Sequence, residues 1–221
     1  MAYINGKEIL FSTRVGGSSK LPSLIDRSVT EITAEDMGDI TEIGQYAFYG
    51  CNKLVRFEMP TSVTKTGKYA FSLCSSLEIV NITDLGAWCN ITHNDTSANP
   101  LGATTKAKLY LNNAIVSGNI VVPSTATQTA LHCFWRQSQI TGVTFEGDIT
   151  SIANGLVGYC DALEYVDFSS CTSVPTLANK NAFSSVPTTC KVIVPDSLYS
   201  SWIAATNWAS LSVTFVKASE V

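Results

Sequence analysis

Apolar residues in the stretch 43–60 first recur every three or four positions, at Ile43, Ala47, Phe48, Cys51 and Leu54. They then alternate, at Phe57 and Met59. The first spacing suits a loose helical or turn-like arm and the second a strand with one buried face. The same order returns in 66–83. A shift of 23 residues carries Ala47-Phe48 onto Ala70-Phe71, Cys51 onto Cys74, Leu54 onto Leu77 and Met59 onto Ile82. The shared pattern is I-x-x-I/T-G-x-x-A-F-x-x-C-x-x-L-x-x-V-x-I. A unit of 20–29 residues that closes on alternating apolar positions has the arithmetic of a leucine-rich repeat.

Two more copies follow. Residues 120–145 align without a gap on 57–82, so that Pro123 meets Pro60, Phe134 meets Phe71 and Ile140 meets Leu77. Residues 149–168 align on 63–82, with Cys160 on Cys74, Leu163 on Leu77 and Phe168 on Ile82. A weaker copy occupies 29–44 and a degenerate one 181–198. About four good coils with two eroded ends predict an α/β repeat solenoid.

The physics explains the copying. One coil cannot bury its apolar side alone, and stacking makes each coil the lid of its neighbour. Strands spaced by about 4.8 Å then join into a continuous sheet. Phe48, Phe71 and Phe134 are expected to form one internal ladder, and Leu54, Leu77, Ile140 and Leu163 another. Cys51, Cys74 and Cys160 share a slot for a small apolar side chain, which Gln137 fills in the third coil. Gly44 and Gly67 are expected to supply a tight turn.

The period breaks between the second and third coils. Residues 84–119 contain Trp88, a polar loop and two strand-like runs around Asn112-Asn113, which reads as a hairpin. The segment is either a projecting loop or an embellished coil. The periodicity of Leu109, Leu111 and Val121 favours the coil. At the C-terminus, 196–221, Asp196 or Ser197 is placed to cap a short helix carrying Leu198, Trp202, Ile203 and Ala205. Trp208 and a strand at 211–216 follow. The two tryptophans read as a lid over the last coil, in preference to a sugar platform. At the N-terminus, Asn5-Gly6 between apolar runs signals a hairpin with a two-residue turn. The Gly/Ser-rich stretch 12–23 reads as a linker. A lone hairpin is marginal, so it packs on the first coil or on another protein. The organisation expected is 1–27 hairpin and linker, 28–195 repeats with the insertion at 84–119, and 196–221 cap.

The units at 40–83, with their IG-x-x-AF-x-x-C-x-x-L core, resemble the BspA-like (Treponema-type) leucine-rich repeat family over about 28–200. The insertion SANPLGATTKAKLYLNN and the closing VPDSLYSSWIAATNW are similar to that family too. The resemblance implies a right-handed solenoid and adhesion to host proteins or other cells. The opening MAYINGKEILFS looks like tail or baseplate-associated proteins of phages from gut bacteria. That likeness implies virion components, with residues 1–20 docking into an assembly.

Composition narrows the reading. The chain has 221 residues, 45% of them hydrophobic and 14% charged, with a formal net charge of -4. No basic cluster suggests nucleic acid or an anionic membrane. No run of 18 apolar residues predicts membrane insertion. The N-terminus lacks the charged-then-apolar order of a signal peptide. The expected location is therefore the virion, or a cell surface reached by another route.

Seven cysteines, an odd number without C-x-x-C spacing, read as buried reduced thiols rather than a disulfide framework. The two histidines, His93 and His132, lack ligand spacing, so no metal and no cofactor is expected. His132 and Cys133 are adjacent and diverge on any regular element. Asp36 and Asp39 fit a helix start capped by Thr33 better than a catalytic pair. No phosphate loop or nucleophile elbow occurs. The chain is expected to be no enzyme.

What is left is a surface. Residues between the inward strand positions face outward: Arg56 and Glu58, Ile79 and Asn81, Gly142 and Thr144, Tyr165 and Asp167. The candidate ligand-binding face is Arg56, Glu58, Asn81, Thr144, Tyr165 and Asp167. It is expected to meet a protein or glycan on a host cell. The alternative is a structural assembly or decoration protein of a virion, docked through its N-terminal hairpin.

Overall fold

The computed structural model describes residues 2–4, 7–9 and 27–221. Two compact units appear, Met1–Ile115 and Val116–Val221. In the first, the strands Ala2–Ile4 and Lys7–Ile9 pair antiparallel with Ala2 opposite Ile9 and Ile4 opposite Lys7. Their Asn5-Gly6 connection and the 12–23 linker lie outside the described residues. Strand Ala2–Ile4 runs beside the one-turn helix Ala34–Met37 of the first coil. That helix starts as the sequence predicts. Thr33 accepts from the Asp36 N–H, and the Asp36 carboxylate accepts from the Thr33 N–H at 2.8 Å.

The coils of the first unit contribute the parallel strands Glu31–Ile32, Arg56–Glu58, Ile79–Ile82 and Lys108–Leu111 to one sheet. A second, narrower sheet joins Glu42–Ile43, Lys65–Thr66 and Thr92–His93. Residues 84–111 are a full coil with two short helices added, Leu85–Asn90 and Pro100–Ala103. Strand Lys108–Leu111 turns at Asn112-Asn113, both at positive φ, into Ala114–Ile115. Positive φ at both central residues is the conformation of the type I′ hairpin turn.

The second unit has its own five-stranded sheet, Gly118–Val122, Ile140–Phe145, Tyr165–Asp167, Lys191–Val194 and Thr214–Lys217, all parallel neighbours. A two-stranded partner joins Ser151–Ile152 and Thr176–Leu177. The strands thus form a separate five-stranded sheet in each unit, not the single run expected. The hairpin strand Ala114–Ile115 is antiparallel to its neighbour and ends the first sheet.

Inside each unit the repeat makes shelves. The Phe48 N–H donates to the Ala70 carbonyl and the Phe71 N–H to Ser97, one coil on. The Phe48 and Phe71 rings stack with centroids 5.1 Å apart. Phe57 meets both rings edge-on. In the second unit Phe134 and Val157 hold the same place, donating to Leu156 and Ala182. All of these side chains are fully buried, as are Leu54, Leu77, Ile140 and Leu163. Each buried Phe or Leu stabilises its unit by roughly 1.5–3 kcal/mol. The seven cysteines are buried and none is in a disulfide, and Gln137 fills its cysteine slot by donating to the Trp135 carbonyl at 2.8 Å.

Gly67 serves a purpose other than the expected turn. Its φ is not left-handed; a Cβ there would lie 2.4 Å from the Gln45 backbone nitrogen and 2.7 Å from the Gly44 carbonyl carbon. The residue lets successive coils touch. The left-handed backbone falls two and six residues later, at Tyr69 and Leu73, and equivalently at Tyr46 and Gly50. His132, Arg136, Gly155 and Tyr159 repeat this pair of positions in the second unit.

The C-terminal segment adds the short helix Tyr199–Ala204 and the sheet strand Thr214–Lys217. Trp202 and Trp208 are fully buried, against Phe168 and each other, which rules out a sugar platform. Trp208 donates its indole N–H to the Pro175 carbonyl at 2.9 Å. The helix has no side-chain cap. The Asp196 carboxylate instead accepts from the Ser219 N–H and hydroxyl, tying down the chain end.

Candidate functional site

The six residues expected on one face fall into two groups of three, one in each unit. In the first unit the outward row Glu31, Arg56, Ile79, Lys108 runs beside the row Glu58, Asn81, Tyr110. Arg56 lies 3.0 Å from the Glu31 carboxylate and 2.6 Å from that of Glu58, and it donates to the Asn113 side chain. Asn81 donates to Glu58 at 3.3 Å and accepts from the Asn113 N–H at 2.9 Å. The expectation that Asn81 is exposed is therefore wrong: it is 2% exposed. Its carboxamide is engaged on one side by Glu58 and on the other by the backbone of the 112–113 turn. Polar groups arranged this way satisfy one another before any ligand arrives.

In the second unit Tyr165 lies across Gly142, where a Cβ would come within 2.4 Å of its ring. The missing side chain at 142 is what gives the tyrosine its place. Asp167 accepts from the Ser169 N–H at 2.7 Å, and the Thr144 hydroxyl donates to the Asn119 side-chain oxygen at 3.3 Å. Thr144 and Asp167 are directly paired across strands, as are Tyr165 and the exposed Lys191. This group is more open than the first: Tyr165, Thr144 and Asp167 are all half-buried.

Chemistry-bearing residues elsewhere are tied up in structure. Cys133 points into the core while His132 stacks on Trp135, with ring centroids 4.2 Å apart and nearly parallel planes. Burial, and then the Arg136 guanidinium, push the His132 imidazole down to about 4. His93 is buried with Nδ1 2.6 Å from the Thr66 hydroxyl. Burial raises the Cys74 and Cys190 thiols to about 12. Asp148 is held below the usual carboxylate range by accepting from the Thr172 N–H and hydroxyl one coil on. Among the described residues no group of three or more His, Cys, Asp or Glu side chains is placed to hold a metal ion.

One cluster escaped the sequence reading. The arms present side chains at their two left-handed positions and at the residue just before the second. In the first unit Tyr46 stacks on Tyr69 at 5.3 Å and meets Tyr49 edge-on. In the second, Trp135 meets Tyr159 edge-on, and the Arg136 guanidinium sits 4.7 Å from the Tyr159 ring centre. Gly155 and Gly158 clear space for His132 and Trp135. The signal was in the sequence, as a tyrosine or histidine just before the repeated pair in YAF, YAF and HCF. It read as part of the arm, because periodicity marks inward positions only.

No helix among the described residues is long and apolar enough to cross a membrane. A search among curated proteins gives no match. Among solved structures, the pneumococcal vaccine antigen PcpA is 15% identical over 86% of this chain and 42% of its own, with a TM-score of 0.40. A leucine-rich repeat protein from Bacteroides ovatus is 16% identical over 86% of this chain and 66% of its own, with a TM-score of 0.35. The chain thus spans less than two thirds of either protein. The model of the BspA type leucine rich repeat region matches residues 26–94 and 107–205 in six copies. With most of its length in that match and its coils joined by parallel strands, this chain belongs to the BspA-type leucine-rich repeat family.

Proposed function

We propose that this protein is a non-enzymatic recognition module, displayed on a phage tail or a bacterial surface, that adheres to a protein or glycan of a host cell. The observation that carries the reading is the outward row of the five-stranded sheet of the second unit. There Tyr165, held over Gly142, is flanked by Lys191 on the next strand, with Asp167 and Thr144 beside it. An aromatic ring, two charges of opposite sign and a hydroxyl on rigid strands suit recognition, since interfaces concentrate their energy in such anchors. Stacked repeats present extended surfaces of this kind. Catalysis would need a nucleophile with a base in reach, and the thiols and histidines described above are buried in the packing.

The test is a binding screen of the full chain on mammalian and bacterial cells and on a glycan array, with Tyr165→Ala beside it. The expected result is saturable binding to at least one surface, weakened about tenfold or more by the substitution. A chain that binds no cell and no glycan would end the adhesion reading.

A further inference from the structure

We propose that the arms carry a protein-contact surface of their own, built on the side chains at the left-handed positions and directed at a partner segment that sets carboxylates beside apolar residues. The proposal rests on the recognition reading above and gives it a second location and a chemistry.

A left-handed residue with a Cβ is disfavoured, and a bulky one more so, while glycine or asparagine is at ease there. The repeat tolerates glycine at both arm positions, since Gly50 occupies one at φ 72° and Gly155 the other at φ 71°. Yet Tyr46, Tyr69 and Leu73 in the first unit, and His132, Arg136 and Tyr159 in the second, hold φ between 60° and 63°. Three of these are also exposed large hydrophobic side chains: Tyr69 at 43%, Leu73 at 58% and Tyr159 at 38%. Folding gains little from Leu73, which combines strain with exposure. Residues kept against local preference mark functional sites.

The chemistry of the partner follows from what surrounds them. Each patch sets a guanidinium against its aromatic or apolar groups. Exposed Arg27 lies over Gly50, 3.7 Å from where a Cβ would be, and Arg136 lies over Tyr159. The Asp95 carboxylate near the first patch accepts from the Tyr69 N–H. The Arg136 guanidinium, set against the Trp135 and Tyr159 rings, makes the second patch complementary to an acidic partner. A second copy would set guanidinium against guanidinium across an isologous contact. A protein fits better than a sugar, because one face of each ring is taken up in the Tyr46–Tyr69 and His132–Trp135 stacks and the Arg136 guanidinium lies over Tyr159. Pyranose stacking needs a free face, whereas protein side chains also pack on ring edges.

The experiment uses the full chain with Leu73→Asn, Tyr159→Asn and Tyr165→Ala, a library of displayed random 12-residue peptides, a glycan array and light scattering. Leu73→Asn is expected to melt at or above the wild-type temperature. Enriched peptides are expected to combine Asp or Glu with Leu, Phe or Trp. They are expected to bind Leu73→Asn or Tyr159→Asn at least tenfold more weakly while keeping their affinity for Tyr165→Ala. A fall of several degrees in the melting temperature of Leu73→Asn would overturn the proposal, because the side chain would then serve the fold. Peptides that lose affinity only for Tyr165→Ala overturn it and leave the recognition reading standing. Arm-dependent glycan binding or self-association overturns the stated partner. Absence of any enriched peptide overturns the proposal, while the recognition reading is then decided by the cell and glycan screen alone.

Discussion

The Cys74 thiol donates to the carbonyl of Phe48 at 3.2 Å, one coil back, and Cys160 makes the same bond to Phe134 at 3.1 Å in the other unit. A cysteine at this slot is small, apolar enough to bury and a weak donor. It therefore fills the shelf and also satisfies a backbone oxygen of the preceding coil.

Burial raises Cys74 and Cys190 from 9.0 to about 12. Both stay protonated in the folded chain where the unfolded chain would ionise. Their contribution to stability is complete below pH 9.0 and is lost as pH rises from there towards 12. Native protein should resist a thiol reagent near pH 8, and denatured protein should react at all seven cysteines. Rapid labelling of the native chain would contradict the burial.

His132 has the opposite sign. Burial, then Arg136, lower it from 6.5 to about 4, so between those values the unfolded chain binds a proton that the folded chain refuses. Stability should be complete above pH 6.5 and fall as pH drops towards 4. The substitution His132→Asn, which suits a left-handed residue, should flatten that slope in melting curves recorded at several pH values.

Phe71 stacks on Phe48 and meets Phe57 edge-on, with no exposed surface. The Phe71→Ala variant should lose about 3–5 kcal/mol in urea denaturation. A loss below about 1 kcal/mol would mean that the shelf collapses freely around the cavity.

Gly67→Ala tests how closely the coils approach. Its new Cβ would meet backbone, not a side chain that can swing away. The expected cost is about 1–3 kcal/mol, read by thermal or urea unfolding. An unchanged midpoint would show that the coils separate without penalty.

Arg56 tests the network of the first sheet. Arg56→Met keeps the aliphatic stem but removes one donor from Glu58 and the guanidinium from the Asn113 side chain. The loss should be about 1–3 kcal/mol. A double-mutant cycle with Glu58→Gln should return a coupling of about 0.5 kcal/mol or more.

Much of the fold was legible because inward positions repeat. Phe48, Phe71, Leu54 and Leu77 announced their burial through spacing alone, and Thr33 with Asp36 announced a helix start. The candidate site was less legible. Asn81 sits at an outward strand position by parity. It is buried because Asn113, 32 residues on, returns to bond it. Asp196 looked like a helix cap because a short-range rule fits any Asp ahead of an apolar turn. Its carboxylate went to Ser219, a competitor no local window contains.

The sequence by itself determined the period, the shelf residues and the alternation of arm and strand, because those follow from burying one side of every coil. Only the tertiary structure decided which outward groups satisfy one another, where the backbone turns left-handed, and that the strands form a separate sheet in each unit. Those outcomes depend on distances between residues one coil or more apart. Hydrophobic periodicity carries no information about them, since it records what must leave water and not what meets at the surface.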